Sequence, residues 1–106
     1  MFFELRQYKT KPGKRDEWVK VMETEVIPFQ ASLGMVIVGS FVAEEDDDQY
    51  VWIRRFESEE ERKEQYKAVY LSEQWKNDMA PKVDELLEKE KMLVTRLIAT
   101  PKSVLQ

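Results

Sequence analysis

Polar and aromatic side chains that alternate along two predicted strands are the residues best suited to bind a small molecule. Arg6 and Tyr8 lie on one side of the first predicted strand, and Trp52 and Arg54 lie on one side of the third. Side chains two residues apart point to the same face of a strand. If the two strands are neighbours, these residues form an aromatic wall with an arginine fork. That combination suits an anionic or quinone-like ligand.

The same patch has a second interpretation. Glu4 shares the face of Arg6 and Tyr8, and Arg96 on the last strand is a candidate to join them. Buried arginines need partners, and Glu4 supplies only one carboxylate. The alternative is therefore an ion-pair and stacking network that fixes the register of a dimer, because buried charge pairs commonly set registry.

Two tryptophans on predicted helices are further candidates. Trp18 and Trp75 are expected to face the sheet, where they would line any cavity between helices and sheet. Helical spacing also explains them as ordinary core residues. Tyr8, Tyr66 and Tyr70 are acid–base candidates, although buried tyrosines commonly serve as core aromatics with hydroxyls bonded to the backbone.

Composition excludes several kinds of site. The chain has no histidine and no cysteine, which removes the commonest general base, the commonest metal ligand and thiolate chemistry. The acidic run 44–48 lacks the ligand spacing and central glycine of a calcium loop and is interpreted as a solvated hairpin. The three glycines are too scattered for a phosphate loop. We therefore expect no metal and no cofactor.

Length and charge narrow the class of protein. The chain has 106 residues, which indicates one domain, and its net charge of -4 argues against a nucleic-acid partner. No apolar run approaches the ~20 residues of a membrane span, so we expect no membrane partner. The N-terminal residues do not resemble a signal peptide, and a cytoplasmic location is expected.

The first half of the chain predicts two strands and a helix. Strand 2–10 ends at the turn Lys11-Pro12-Gly13, and a helix follows to Leu33 with Gly34 as its C-terminal cap. Val19, Met22, Val26 and Phe29 mark the apolar face of this helix, and Pro28 predicts a kink or a frayed end. Strand 35–43 follows, with Gly39 as a candidate bulge.

The second half predicts the same elements in a similar order. Strand 50–57 leads to Ser58, which with Glu61 forms a capping box at the start of a helix. Tyr66, Val69 and Tyr70 form the apolar face of that helix. A second helical segment starts at Ser72 and bends or restarts at Pro81. The last predicted strand covers residues 91–99.

The predicted order is β-α-β-β-α-β, which is the ferredoxin-like arrangement of the α+β class. Right-handed crossovers place both helical regions on one face of a four-stranded antiparallel sheet. The other face would be polar in a monomer, but both alternating sets of three strands carry large apolar side chains. We therefore expect an identical sheet to cover it in a two-fold homodimer.

Three stretches resemble the NIPSNAP family of the dimeric α+β barrel superfamily. They are ELRQY at 4–8 with KPGK at 11–14, the strand 36–40 leading to YVWIRRF at 50–56, and SEQW at 72–75 continuing to TRL at 95–97. The resemblance implies a single domain over residues 1–101, followed by a short tail at 102–106. It also implies a dimer whose two sheets form a barrel with the helices outside.

The resemblance leaves the activity open, and whether the chain is an enzyme is undecided. The first hypothesis is a small soluble homodimer of undefined activity that binds a ligand or partner in or beside the barrel, with Arg6, Tyr8, Trp18, Trp52, Arg54 and Trp75 as ligand-binding candidates. The alternative is a cofactor-independent monooxygenase or isomerase acting on a small aromatic or anionic substrate. A third is an interaction module. A cavity with convergent polar groups would favour a site over solid core packing.

Overall fold

The computed structural model describes residues 1–106 and contains one four-stranded antiparallel sheet. Its strands are β1 Phe2–Lys9, β2 Val36–Val42, β3 Gln49–Phe56 and β4 Leu93–Leu97. They lie in the order β2-β3-β1-β4, which confirms the predicted ferredoxin-like arrangement. The last strand begins later than predicted because a 3₁₀ turn occupies Lys89–Lys91, and it ends two residues earlier than predicted, at Leu97.

The helical regions both pack on one face of the sheet, as predicted. Their bounds are α1 Arg15–Val21, α2 Ile27–Ser32, α3 Glu59–Tyr70 and α4 Ala80–Leu86. The longest, α3, has 12 residues, and no helix combines the length and hydropathy that crossing a bilayer requires.

A π-helical turn precedes each of the two helical prolines. Met22–Val26 joins α1 to α2 just before Pro28, and Trp75–Met79 leads into α4 just before Pro81. A proline lacks an N–H and its ring crowds the carbonyl four residues earlier. The wider π turn accommodates that loss without ending the helical path. The predicted kink at Pro28 is therefore a widened turn in a continuous helical region.

The apolar face of the first helical region differs from the predicted one by one position. Trp18, Met22 and Val26 are fully buried, whereas Val19 is only half-buried. Gln30 continues the same face one turn later and is also fully buried. A polar residue at that position needs a partner, which the site described below supplies.

Local turn and cap signals in the sequence are confirmed. Gly13 and Gly34 both have positive φ, which suits the turn before α1 and the C-terminal cap of α2. The strand pairing of β2 shifts between Ile37 and Gly39, so the predicted bulge is present. The ring of Phe41 lies so close over Gly39 that a Cβ there would overlap it.

Ser58 caps α3 as predicted, but the reciprocal half of the capping box is displaced. The Ser58 hydroxyl accepts a hydrogen bond from the Glu61 amide at 3.1 Å. The Glu61 carboxylate accepts from the amide of Glu57 at 3.3 Å, not from that of Ser58. The carboxylate therefore ties the end of β3 to the first turn of the helix.

The face of the sheet away from the helices is mostly apolar, although Gln7, Lys9 and Arg55 also lie on it, and it lacks a helical layer. Its side chains include Phe3, Leu5, Phe41, Val51, Ile53 and Leu93. We call these residues the open face. Phe41 and Leu93 expose 53% and 55% of their surface, which is unusual for large apolar side chains gathered on one face. Leu105 of the C-terminal tail lies beside Phe3 and Ile53 at one end of it.

The Ser58 cap yields a stability prediction. Ser58→Ala removes the acceptor for the Glu61 amide and should lower the free energy of unfolding by about 1 kcal/mol. Urea denaturation measures the change. Ser32→Ala is the control, since the Ser32 hydroxyl only donates to the Phe29 carbonyl at an exposed position, and it should have little effect. Equal losses in both variants would contradict the capping role.

Candidate functional site

The predicted patch of arginines and aromatics lies on the face of the sheet that meets the helices. Strands β1 and β3 are neighbours, and Glu4 pairs with Arg54 and Arg6 with Trp52. Tyr8 follows on the same face, opposite Tyr50. The register expected from the sequence is therefore correct, and the patch is covered by helical residues of the same chain.

The centre of the patch is a buried ion pair between Arg54 and Glu4. Arg54 Nη2 donates to Glu4 Oε1 at 2.6 Å, and neither residue exposes more than 3% of its surface. Arg54 Nη1 donates to Gln30 Oε1 at 2.9 Å and to the Tyr70 hydroxyl at 2.8 Å. Both terminal nitrogens of the buried guanidinium therefore have hydrogen-bond acceptors, which offset the cost of removing the charge from water.

Aromatic rings enclose the Arg54 guanidinium. Its central carbon lies 4.7 Å from the Trp52 ring centroid and 5.1 Å from that of Tyr66. The rings of Phe56 and Tyr70 are within 6 Å as well. The negative faces of such rings attract a cation that has lost its water.

The Glu4 carboxylate also contacts two further arginines and a tyrosine hydroxyl. Arg6 Nη1 donates to Glu4 Oε1 at 3.1 Å, Arg62 Nε lies 3.5 Å from Oε2, and the Tyr66 hydroxyl donates to Oε2 at 2.6 Å. Burial alone would raise the pKa of Glu4. The Arg54 guanidinium, the Tyr66 hydroxyl and Arg6 outweigh it and lower the pKa from its ordinary 4.5 to about 2.

The network lies between β1, β3 and α3, so it holds the helix to the sheet within one chain. It lies on the face that meets the helices and not on the open face, and its contacts all join residues of one chain; a role in dimer register stays a prediction. Arg96 joins the helix-side face opposite Glu4 but pairs with Glu59 of α3 at 2.8 Å. Arg96 therefore adds a second link between sheet and helix.

A cavity of about 70 Å³ opens beside this network, between the sheet and the helices. Its buried lining residues are Tyr8, Trp18, Met22, Val26, Trp52 and Leu87. Its half-buried lining residues are Arg6, Tyr70, Trp75, Val83 and Met92. The cavity thus has an aromatic interior and a partly exposed side at which Arg6 is the charged group.

Five of the six residues predicted as ligand-binding candidates line this cavity. They are Arg6, Tyr8, Trp18, Trp52 and Trp75. Arg54 does not line it; it lies behind the wall and supports Tyr70 through a hydrogen bond. Every tryptophan of the chain borders the cavity, and the indole N–H groups of Trp18 and Trp52 are buried without an acceptor.

The π turns shape one wall of the cavity. Met22 and Val26 are the first and last residues of one π turn, and Trp75 begins the other. A π turn widens the helix and changes the direction of its side chains, and such turns recur at functional sites. The prolines that require these turns therefore also contribute to the position of the lining residues.

Sequence reasoning missed several members of the site. Gln30 partners Arg54, and Val83, Leu87 and Met92 line the cavity. Gln30 lies four residues after Val26, so helical spacing carried a signal for it. Met92 precedes β4, and no local pattern indicates that its sulfur lies 3.5 Å from Arg6 Nη2.

The acidic run is anchored to neighbouring basic residues. Lys9 pairs with Asp46, and Arg15 Nη1 donates to the carbonyls of Ala43 and Asp46 at 2.9 and 2.6 Å. No group of three or more acidic side chains in the structure is arranged to hold a metal ion. The run therefore contributes a hairpin braced by Lys9 and Arg15.

A comparison with family models matches residues 3–102 to the NIPSNAP model. Among solved structures, the protein Atu4242 from Agrobacterium tumefaciens is similar at a TM-score of 0.89 and 30% identity, with all of each chain covered. A second structure of Atu4242 is described as a NIPSNAP family protein with unknown function. No curated protein matches this chain.

Two further structures extend the comparison. A NIPSNAP family protein of Agrobacterium tumefaciens, Atu5224, has a TM-score of 0.87 at 26% identity over 99% of this chain and 98% of its own. An antibiotic biosynthesis monooxygenase has a TM-score of 0.70 at 16% identity over 95% of this chain and all of its own. The second likeness concerns the fold alone.

The depressed pKa of Glu4 predicts acid sensitivity. The carboxylate stabilises the fold fully above about pH 5, and this contribution is lost as pH falls through 4.5 towards 2. A depression of that size corresponds to roughly 3 kcal/mol. Glu4→Gln should therefore lower the free energy of unfolding by about 3 kcal/mol at neutral pH, and its difference from the wild type should close in acid.

Urea denaturation at neutral and acid pH measures both effects. Glu57→Gln is the matched control, because Glu57 also pairs with an arginine but on the exposed surface. That variant should unfold like the wild type at neutral pH. A Glu4→Gln variant as stable as the wild type at neutral pH would show that the pair does not stabilise the fold.

Proposed function

The chain belongs to the NIPSNAP family, and on that premise we propose that it binds a small aromatic molecule in the cavity between its helices and its sheet. The observation that carries the proposal is the lining. Ten of the eleven residues around the cavity are apolar or aromatic, and one, Arg6, is charged. Ligand sites commonly combine such a wall with a few placed polar groups.

The size of the cavity limits the ligand. Its 70 Å³ is about half the volume of an engineered apolar cavity of about 150 Å³ that holds benzene. A single ring therefore requires some movement of the wall. Met22 and Met92 provide it, because the unbranched methionine side chain adapts readily to new shapes. The ligand is accordingly one ring with small substituents.

The alternative function is cofactor-independent oxygenation or isomerisation of such a molecule. Its support is the fold that the chain shares with an antibiotic biosynthesis monooxygenase, and one fold hosts many activities. Binding needs only the aromatic lining of the cavity and the polar groups of Arg6, Tyr8 and Tyr70. Binding is therefore the function that the cavity supports best, and oxygenation or isomerisation of the ligand is the alternative.

We also propose that a second copy of the chain packs on the open face to form a homodimer. The support is the exposure of Phe41, Leu93 and Leu97 together on one side of the sheet. Burying one such side chain contributes about 1.5–3 kcal/mol, so several favour association. An identical sheet is the simplest complement, since a two-fold axis brings the same face of each chain together.

Ligand binding is tested with nitrobenzene, a single-ring compound that quenches tryptophan fluorescence on contact. Because all three tryptophans border the cavity, binding there should quench the intrinsic fluorescence and reach saturation. Val83→Phe places a ring in the cavity and should weaken binding by about tenfold or more. Linear quenching without saturation in the wild type would contradict the proposal.

Val19→Phe is the matched control for this test. Val19 is half-buried on α1 and packs against the same core, but it does not line the cavity. The variant makes the same change of side chain and should bind nitrobenzene like the wild type. If both variants lose binding equally, general disruption of the core would explain the loss.

The dimer is tested by sedimentation equilibrium. The wild type should sediment at twice the 12.7 kDa mass of the chain, and Phe41→Asp should shift the equilibrium to the monomer because it buries a charge in the interface. Leu71→Asp is the control, since Leu71 is also an exposed apolar residue but follows α3 away from the open face. A wild-type monomer at micromolar concentration would refute the proposal.

A further inference from the structure

Resting on the proposed binding function, we propose that the ligand is an aromatic oxyanion, a phenolate, whose oxygen is held by the hydroxyls of Tyr8 and Tyr70 and by Arg6. These groups line one cavity and together present hydrogen-bond donors without acceptors. We call them the donor corner. A molecule that fills the site must then supply the acceptor, and a negatively charged oxygen is the strongest.

The Tyr8 hydroxyl accepts a hydrogen bond from the chain, so its own proton remains available to donate to a ligand. Arg6 Nε donates to the Tyr8 oxygen at 2.6 Å, so the oxygen is the acceptor in that contact. Tyr8 donates to no group of the chain, although only 5% of its surface is exposed. Burial also raises the pKa of Tyr8, so the proton is retained at neutral pH.

The Tyr70 hydroxyl is held in the same way by the second arginine. Arg54 Nη1 donates to the Tyr70 oxygen at 2.8 Å, and Tyr70 donates to no group of the chain. The other two tyrosines differ. Tyr66 donates its proton to Glu4, and Tyr50 shares a hydrogen bond with Ser40. The two tyrosines that line the cavity therefore accept a hydrogen bond from an arginine and donate none within the chain.

Arg6 offers the third donor. Its Nε and Nη1 are engaged by Tyr8, Glu4 and Tyr66, whereas Nη2 contacts only the Met92 sulfur at 3.5 Å. A thioether is a weak acceptor, so an oxyanion would replace it with a gain in hydrogen bonding. Met92 is flexible and half-buried, which lets it yield.

The charge balance around the corner favours an anion. The carboxylate of Glu4 is shared by Arg54, Arg6 and Arg62, and Arg62 also pairs with Glu59, so three guanidinium groups meet two carboxylates beside the cavity. No carboxylate lines the cavity itself. An anionic oxygen at the donor corner would reduce this excess, and a low-dielectric wall would strengthen the attraction.

The proposal is tested with 4-nitrophenolate against nitrobenzene by isothermal titration calorimetry at mildly alkaline pH. The two probes share the ring and the nitro group and differ in the oxyanion. The wild type should bind 4-nitrophenolate at least tenfold more tightly than nitrobenzene. Acidification that protonates the probe should reduce this preference, since neither Tyr8 nor Arg6 titrates in that range.

Tyr8→Phe and Tyr70→Phe remove the two hydroxyls singly. Each should weaken binding of 4-nitrophenolate by about tenfold and leave nitrobenzene binding nearly unchanged. Tyr50→Phe is the matched control, because Tyr50 is a buried tyrosine on the same sheet face whose hydroxyl contacts Ser40 outside the cavity. It should bind both probes like the wild type, and nitrobenzene binding reports that each variant is folded.

The outcomes separate the two proposals. If nitrobenzene saturates the wild type but 4-nitrophenolate binds no more tightly, the cavity binds aromatics and the oxyanion inference is overturned. If neither probe binds, the binding function itself fails. If the preference persists unchanged in both Tyr8→Phe and Tyr70→Phe, the donor corner is not its source and the inference fails in that form.

Discussion

One buried carboxylate supports the arrangement of the helix-side face. Glu4 holds Arg54, and Arg54 in turn orients Gln30 of α2 and Tyr70 of α3. An arginine without exposure is tolerated only where such partners meet it. The pair thus positions two helices relative to the sheet. The cavity is the space that remains between these helices and the sheet beside Trp52. Packing, electrostatics and the candidate site depend on the same interaction.

The prolines contribute a second constraint. Pro28 and Pro81 each follow a π turn, and both turns supply residues that face the cavity. A regular helix would bring its side chains to the sheet at an even spacing and could close the space. The irregular turns instead present Met22, Val26 and Trp75 around it. The backbone irregularity and the site are therefore one feature of the fold.

The two faces of the sheet use the same alternation for different purposes. On the helix side, even-numbered residues of β1 and β3 combine aromatic rings with Glu4, Arg6 and Arg54. On the open face, odd-numbered residues of the same strands include Phe3, Leu5, Val51 and Ile53, and they carry no comparable polar network. A polar network specifies one geometry because each donor needs a particular acceptor. An apolar face needs only a complementary surface, which suits association of identical chains.

Alternation and cap signals in the sequence were enough to predict the order of elements, the pairing of β1 with β3, the Gly39 bulge and five of the cavity residues. The elements and the bulge follow from local rules of periodicity and backbone conformation, which each segment carries by itself, whereas the pairing of β1 with β3 follows from the usual strand order of the ferredoxin-like arrangement. The sequence did not determine which face meets the helices, because both alternations are apolar. Nor did it place Gln30 beside Arg54 or Met92 beside Arg6, since these contacts join residues far apart in the chain. Tertiary packing decided them, because a buried charge takes whichever partner the folded helices bring within hydrogen-bond distance.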